Sequence, residues 1–262
     1  MPHSRCVISH WKGNIGKLNQ WVQTKAAYYL HIIRTVQPQG PYDLGGFSLG
    51  GFLAYEVARQ LQELGETVNT LTMLDTFDTS QAENICASYK SALLQAANLF
   101  LDPTLSLTSD QRIDREQLDV TLDDDAYFEA LIVELRSRRL DISEDSLRET
   151  VLRAARVNMA NVDLKDETIL PLPAPEQLKS YYFRNKNGLF FGDIESMIIT
   201  QDNNTRLDHT EYWCGWQAQM PNLEVIELDA PSHMLLMADE KSNDKLVKFC
   251  AEIYAQKTLE SA

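Results

Sequence analysis

The chain has 262 residues, enough for one large hydrophobic core, and a formal net charge of −14 at pH 7. This charge disfavours binding to nucleic acid and to anionic membranes, and no apolar run approaches the roughly 18 residues of a membrane-spanning helix. The first residues lack the apolar segment of a signal peptide, and the four cysteines show no C-x-x-C spacing. We therefore expect a cytoplasmic protein with free thiols, no bound metal and no membrane contact.

The first predicted elements form a βαβ unit. A helix is predicted over residues 25–36 from apolar positions at helical spacing, and it is followed by a strand-like run at Tyr42-Asp43-Leu44. A second helix includes residues 52–58 and ends before Gly65, which suits the position after a helix C-terminus. Residues 68–74, with apolar side chains at Val68, Leu71, Met73 and Leu74, predict a short buried parallel strand.

From Thr79 to about Leu164 the pattern is helical only, and the α/β pattern resumes afterwards. Ser143 is a suitable N-cap for the last of three predicted helices. Strands are predicted at 196–200 and 223–228, and a closing helix at 242–255. The sequence thus predicts a single domain over residues 1–262 with a helical insertion at about 80–164. Its three apolar stripes are Tyr89, Leu93, Ala97 and Phe100; Phe128, Leu131, Ile132 and Leu135; and Leu147, Val151, Ala154 and Val157.

The motif Gly46-Phe47-Ser48-Leu49-Gly50 is a G-x-S-x-G between a predicted strand and a predicted helix. At such a nucleophile elbow, a strained turn lifts the serine hydroxyl out of the sheet. The N–H of Leu49 then lies at the start of the helix, where it can stabilise an oxyanion. We expect glycine at 46 and 50 because a Cβ at either position would collide with neighbouring backbone. The alternative is a glycine-rich turn with an incidental serine.

A serine nucleophile needs a general base, and the base needs a carboxylate that orients it. His233 is the only histidine that directly follows the last predicted strand, where this motif order places the base. Two carboxylates are open. Asp75 closes the strand at 68–74, and Asp202 follows the predicted strand at 196–200. Asp75 lies at the end of a buried strand, where open α/β sheets place their chemistry.

The residues around the motif resemble the type I thioesterase domains that end polyketide synthase and nonribosomal peptide synthetase assembly lines. The likeness is carried by the run from Val36 to Gly51, with its Q-P-x-G-P-Y lead-in and doubled glycines on both sides of Ser48. It is clear from about residue 26 to residue 75 and returns near His233. It implies an α/β-hydrolase fold, with a mostly parallel sheet, helices on both faces and a helical lid at 80–164.

The resemblance also implies a function and a set of roles. Ser48, His233 and Asp75 would form the catalytic triad, with Asp75 preferred to Asp202, and Leu49 would supply one oxyanion amide. The implied reaction releases an acyl or peptidyl chain from the phosphopantetheine thioester of a carrier protein, by hydrolysis or cyclisation, without a cofactor of its own. The alternatives are a generic serine esterase, a stand-alone editing thioesterase, and a truncated inactive domain that holds a carrier protein.

Two regions depart from what the resemblance implies. The family has an early strand and a loop of roughly H-P-x-G-G that supplies the second oxyanion amide, but only 47 residues precede Ser48. We therefore expect an N-terminus that is truncated, replaced or misassigned, and a slow enzyme. The tight basic cluster of Arg136, Arg138 and Arg139 could dock an acidic carrier protein, but we favour a solvated helix face.

Overall fold

The structure, a computed structural model, describes residues 21–76, 89–101, 112–138, 142–162, 169–186, 188, 212–231, 233 and 235–260. Within these ranges four strands form one sheet in the order β1-β2-β3-β4, and every neighbouring pair is parallel. The strands are β1 Tyr42–Phe47, β2 Val68–Leu74, β3 Lys179–Asn185 and β4 Leu223–Leu228. The helices are α1 Trp21–Val36, α2 Leu49–Glu63, α3 Tyr89–Leu101, α4 Asp124–Arg138, α5 Glu144–Val162, α6 Cys214–Gln219 and α7 Glu240–Glu260.

The register of the sheet brings the ends of all four strands to one edge. Phe47 of β1 pairs with Leu74 of β2, so the residues that follow the two strands are neighbours. In the same way, Leu74 pairs with Phe183 of β3, and the last residues of β3 and β4 pair with each other. In parallel α/β sheets this carboxyl edge is where ligands bind.

Helices cover both faces of the sheet, as the α/β prediction requires. Successive residues of a strand point to opposite faces. Accordingly, Tyr182 of β3 belongs to the hydrophobic core beneath α1 and α2, whereas Phe183 belongs to a second core that includes Leu246 of α7. The predicted α/β fold with a parallel sheet between helical layers is therefore confirmed.

Helix α2 ends as the sequence predicts. Gly65 has a φ of 76°, and its N–H donates to the carbonyl of Gln62 at 3.0 Å. The N–H of Glu66 reaches back to the carbonyl of Leu61 at 2.9 Å. These two bonds form a Schellman motif, which requires a left-handed residue after the last helical turn and so favours glycine. The chain is thereby turned into β2.

The helices α3, α4 and α5 share a hydrophobic cluster of their own, distinct from the two cores at the sheet. Six of the twelve residues named in the predicted stripes are buried there, and four more are partly buried against the cluster. Helix α5 buries Ala155 and leaves Ala154 only half-buried. The hydroxyl of Ser143 accepts the N–H of Ser146 at 3.3 Å, as expected of an N-cap. The buried members of the cluster are Ala92, Leu93, Ala96, Ala97, Ile113, Leu118, Tyr127, Leu131, Ile132, Leu135, Val151 and Ala155.

Strand β3 is the main element that the sequence did not predict. Its segment, Lys179–Asn185, carries a β-favouring aromatic run between polar ends and has no clear alternation. The strand predicted at 196–200 lies outside the described residues, as does Asp202. The helices α1 and α7 begin a few residues earlier than predicted.

The basic cluster lies on the surface in ion pairs. Arg136 pairs with Glu144 and Arg138 with Glu134, each with an N–O distance of 2.5 Å. Arg139 lies outside the described residues. The two described arginines are thus partly neutralised, as on an ordinary charged helix face. Among the helices that the structure describes, none combines the length and the apolarity needed to cross a membrane.

Candidate active site

Ser48 lies on the turn between β1 and α2 with an unusual backbone conformation. Its φ of 54° and ψ of −127° are unfavourable for a residue with a Cβ. The turn is held by the N–H of Ser48, which donates to the carbonyl of Leu74 at 2.8 Å. In the described part of the chain, Ser48 and Asp75 are the two non-glycine residues with positive φ. Such outliers concentrate at functional sites because the surrounding structure must compensate for them.

The glycines of the elbow differ in whether a Cβ atom would fit at their positions. A Cβ on Gly46 would lie 2.1 Å from the backbone carbonyl of Gly50, so this expectation is confirmed. The expectation for Gly50 is wrong, since nothing lies within 4 Å of its Cβ position. The reason is geometric: Gly50 faces Gly46 with its carbonyl, while its Cβ position points into open space. The second constrained glycine is Gly51, whose Cβ would lie 2.0 Å from the Thr76 hydroxyl.

Three of the predicted site residues are joined by hydrogen bonds at the carboxyl edge of the sheet. Ser48 Oγ lies 3.0 Å from His233 Nε2, and His233 Nδ1 lies 2.9 Å from Asp75 Oδ2. Because a carboxylate only accepts, the proton of the neutral imidazole belongs on Nδ1, which leaves Nε2 to accept from the serine. Asp75 is fully buried and His233 is 5% exposed, so water competes little for these bonds.

The second oxygen of Asp75 is held by two further donors. Asp75 Oδ1 accepts the backbone N–H of Asn185 at 3.1 Å and the hydroxyl of Tyr212. The N–H of Asn185 also donates to the Tyr212 oxygen at 2.9 Å. Burial, followed by the negative charge of Asp75, raises the pKa of Tyr212 well above its ordinary value, so the phenol is a neutral donor.

The imidazole and its loop are fixed by neighbours of the elbow and of β3. The ring of Phe47 stacks on His233 with centroids 4.7 Å apart and planes inclined by 25°. The side-chain amide of Asn185 donates to the carbonyl of Ala230 at 3.0 Å, which ties the end of β3 to the loop after β4. These positions remove much of the freedom that the His233 side chain would have in an open loop.

Sequence reasoning missed Phe47, Asn185 and Tyr212 as parts of the site. Phe47 could have been found from its place beside the nucleophile. Asn185 donates its backbone N–H to Asp75, and every residue except proline has such an N–H, so the sequence does not mark this position. Tyr212 lies 137 residues from Asp75 along the chain, and no motif marks it.

Leu49 is the first residue of α2, so its N–H belongs to the helical turn that has no carbonyl partner four residues earlier. The positive end of the helix dipole therefore lies directly after Ser48 in the chain. Residues 1–20, the part of the chain before α1, lie outside the described residues, so the source of a second oxyanion amide there is not described. Among the described side chains, no group of three or more His, Cys, Asp and Glu residues could hold a metal ion.

Comparison with known proteins identifies relatives over most of the chain. The profile of the family described as "Thioesterase domain" matches residues 18–254. The polyketide synthase PksR of Bacillus subtilis (strain 168) is 35% identical over 243 residues, which make up 92% of this chain and 10% of that protein. A non-reducing polyketide synthase of Cladonia metacorallifera is 61% identical over 51 residues, which make up 20% of this chain and 2% of that protein.

A solved structure shows the same fold. A four-domain nonribosomal peptide synthetase bound to AMP and glycine aligns with a TM-score of 0.60 and 21% identity, covering 89% of this chain and 16% of that one. The chain thus spans about a tenth of the length of PksR and a small part of the synthetase. Because the family profile covers most of the sequence, the chain belongs to the thioesterase domain family.

Proposed function

We propose that this domain releases an acyl or peptidyl chain from the phosphopantetheine thioester of a carrier protein through an acyl-serine intermediate. The observation that carries the proposal is the hydrogen-bonded series of Ser48, His233 and Asp75 on a nucleophile elbow in a member of the thioesterase domain family. Each of the three side chains has the neighbour that its role requires.

Acylation begins when Ser48 Oγ attacks the thioester carbonyl while His233 Nε2 takes the serine proton. Asp75 stabilises the imidazolium that forms, through the 2.9 Å contact to Nδ1. The negative charge on the former carbonyl oxygen is stabilised by the N–H of Leu49 at the start of α2. The tetrahedral intermediate then breaks its C–S bond, and His233 returns the proton to the departing thiol.

Deacylation repeats these steps with a different nucleophile. A water, or a hydroxyl or amine of the bound chain itself, attacks the acyl-serine while His233 Nε2 takes its proton. The C–O bond to Ser48 then breaks, and His233 protonates the serine. Water gives a free acid, and an internal nucleophile gives a ring. The same three side chains serve both outcomes, so the choice between them depends on how the acyl chain is held.

The assignment of a carrier protein as partner rests on the relatives. Those reported above are a bacterial and a fungal polyketide synthase. The net charge of −14 makes non-specific attraction to an acidic partner unfavourable. Arg136 and Arg138, the described part of the predicted basic cluster, are paired with glutamates. Recognition is therefore expected to depend on the acyl-phosphopantetheine arm more than on charge attraction.

The test combines covalent labelling with a comparison of substrates. A fluorophosphonate should form one adduct, mapped by peptide mass to Ser48, and the Ser48→Ala variant should take up none. Acyl groups on a carrier protein should then be released faster than the same acyl groups in simple oxygen esters. Labelling that persists in Ser48→Ala would remove Ser48 as the nucleophile. Equal rates on free esters would favour a generic esterase, and no labelling at all would favour an inactive domain.

A further inference from the structure

We propose that Tyr212 is a positioning residue of the active site, whose hydroxyl holds the Asp75 carboxylate in the orientation that His233 requires. The inference rests on the proposed function, since it assigns to Tyr212 a part in the same reaction. Its basis is the pair of contacts that occupy the two oxygens of one carboxylate: His233 on Oδ2 and Tyr212 on Oδ1.

The carboxylate of Asp75 would otherwise be weakly oriented. Asp75 has a positive φ of 49° and follows the last residue of β2, so its side chain leaves the sheet at a turn. Rotation about its last side-chain bond is broad and nearly two-fold. With Tyr212 and the N–H of Asn185 both bonded to Oδ1, any partial rotation of the carboxylate breaks or weakens these two hydrogen bonds. The plane of the carboxylate is thereby held with its other oxygen towards the imidazole.

Tyr212 is itself held in place. Its side chain is 1% exposed, and its ring contacts the ring of Tyr182 edge to face, with centroids 6.2 Å apart. The same segment continues into α6, where Trp216 Nε1 donates to the carbonyl of Thr76 at 3.0 Å. The segment before and within α6 thus contacts two successive residues after β2. These contacts fix the position of the Tyr212 hydroxyl relative to Asp75.

Tyr182 provides a matched control because its hydroxyl is also buried and bonded to the turn after β2. It donates to the carbonyl of Thr76, which retains the indole N–H of Trp216 when the Tyr182 hydroxyl is removed. Tyr212→Phe and Tyr182→Phe therefore delete the same chemical group within one aromatic pair. Only the first deletion removes a donor from Asp75.

The first measurement is the rate of fluorophosphonate labelling at Ser48, which does not depend on the natural acyl chain. A hydrogen bond to a charged group is strong enough that Tyr212→Phe should lower this rate by about tenfold to a hundredfold. Tyr182→Phe should stay within about twofold of the parent protein. In the Asp75→Asn background, Tyr212→Phe should add almost nothing, because the group through which it acts has been changed.

The second measurement is the low-field proton resonance of the His233 Nδ1–H in the free protein. It should shift in Tyr212→Phe and remain in place in Tyr182→Phe. If Tyr212→Phe does not fold, 3-fluorotyrosine at position 212 keeps the ring shape and changes the strength of the donor, and the resonance should still move. This measurement needs no reaction, so it decides the role of Tyr212 even if Ser48 is not labelled and the proposed function fails.

An unchanged resonance in the folded Tyr212→Phe or fluorinated protein would overturn the inference. A labelling loss that is equal in Tyr212→Phe and Tyr182→Phe would show a general packing effect and would also overturn it. The double variant gives a third test. If the rate loss of Tyr212→Phe and that of Asp75→Asn multiply in the double variant, the two residues act independently, and the inference that Tyr212 acts through the carboxylate is overturned.

Discussion

Asp75 is fully buried and has a left-handed backbone, and both features need compensation from its hydrogen bonds. We predict that Asp75→Asn lowers the rate of Ser48 acylation by about three to four orders of magnitude, because an amide can hold the imidazole in the wrong tautomer. Single-turnover kinetics with an acyl thioester would measure this. The control is Asp229→Asn, which removes a 64% exposed carboxylate paired with Lys186 on the surface. Similar losses in both variants would contradict the assignment.

Phe47 lies beside the imidazole of His233 and contacts it with the face of its ring. The ring stacks on His233, so we predict that Phe47→Leu lowers the acylation rate by about threefold to tenfold, as expected from the loss of a ring–ring contact. Phe47→Tyr keeps a stacked ring and should retain the parent rate. The labelling rate of Ser48 at saturating fluorophosphonate would test both variants. A fully active Phe47→Leu would show that the imidazole needs no stacking partner.

The sequence led to Ser48, His233 and Asp75 because motif order and strand ends mark them. The same reasoning left Asp202 open beside Asp75. The structure places Asp75 against His233, whereas Asp202 lies outside the described residues. Tyr212 could not be found in this way. Its hydroxyl reaches Asp75 across 137 residues of chain, through a segment without regular hydrophobic spacing.

In the elbow between β1 and α2, the backbone of Gly50 lies too close to Gly46 for a Cβ at position 46, whereas position 50 has room for one. We predict that Gly46→Ala prevents stable folding or lowers the melting temperature by many degrees, because its Cβ would lie 2.1 Å from the Gly50 backbone, which cannot move aside. Gly50→Ala is the matched change, and it places a methyl group in open space within a helix. It should leave the melting temperature unchanged or raise it, since alanine favours helix over glycine by about 1 kcal/mol.

Calorimetry of the two alanine variants would settle the comparison. Equal destabilisation would mean that both glycines are required by the turn, as the sequence alone suggested. Activity is a separate readout, because Gly50 lies two residues after Ser48 and has open space at its Cβ position. A stable Gly50→Ala protein with lower activity would locate bound substrate near that position.

The helices α3, α4 and α5 share a hydrophobic cluster that is separate from the core beneath α2. We predict that amide hydrogen exchange is faster in these three helices than in β1 and α2, as expected of a lid that admits a bulky acyl chain. Mass spectrometry of peptides after timed exchange would measure this. Equal protection in both regions would indicate a fixed helical subdomain.

Element prediction succeeded where the apolar pattern was simple. The runs at 68–74 and 223–228 became β2 and β4 with the predicted bounds. Strand β3 was missed because its pairing to both neighbours is decided by tertiary contacts, while charged and polar residues occupy its ends. Burial of its aromatic residues on two different faces becomes visible only once the helices on both sides are in place.

The molecule as a whole combines strong negative charge with several buried tyrosines. Burial is the main cause that raises the pKa of five tyrosines above the ordinary value: Tyr42, Tyr55, Tyr127, Tyr181 and Tyr212. In the unfolded chain these phenols lose their protons near pH 10. Above that pH the unfolded state binds fewer protons than the folded state, so the free energy of unfolding must fall as pH rises.

We therefore predict that the contribution of these tyrosines to the free energy of unfolding is complete below about pH 10 and is lost progressively above it, at up to about 1.4 kcal/mol per pH unit for each tyrosine. Urea unfolding between pH 8 and pH 11 would measure the slope. Tyr55→Phe, which removes a hydroxyl bonded to the Leu170 carbonyl at 2.9 Å, should make the slope shallower. Repulsion from the net charge of −14 could also destabilise the protein at high pH, but salt screens that effect. A slope that disappears in concentrated salt, or that Tyr55→Phe leaves unchanged, would assign the alkaline loss to surface charge and exclude the buried phenols as its cause.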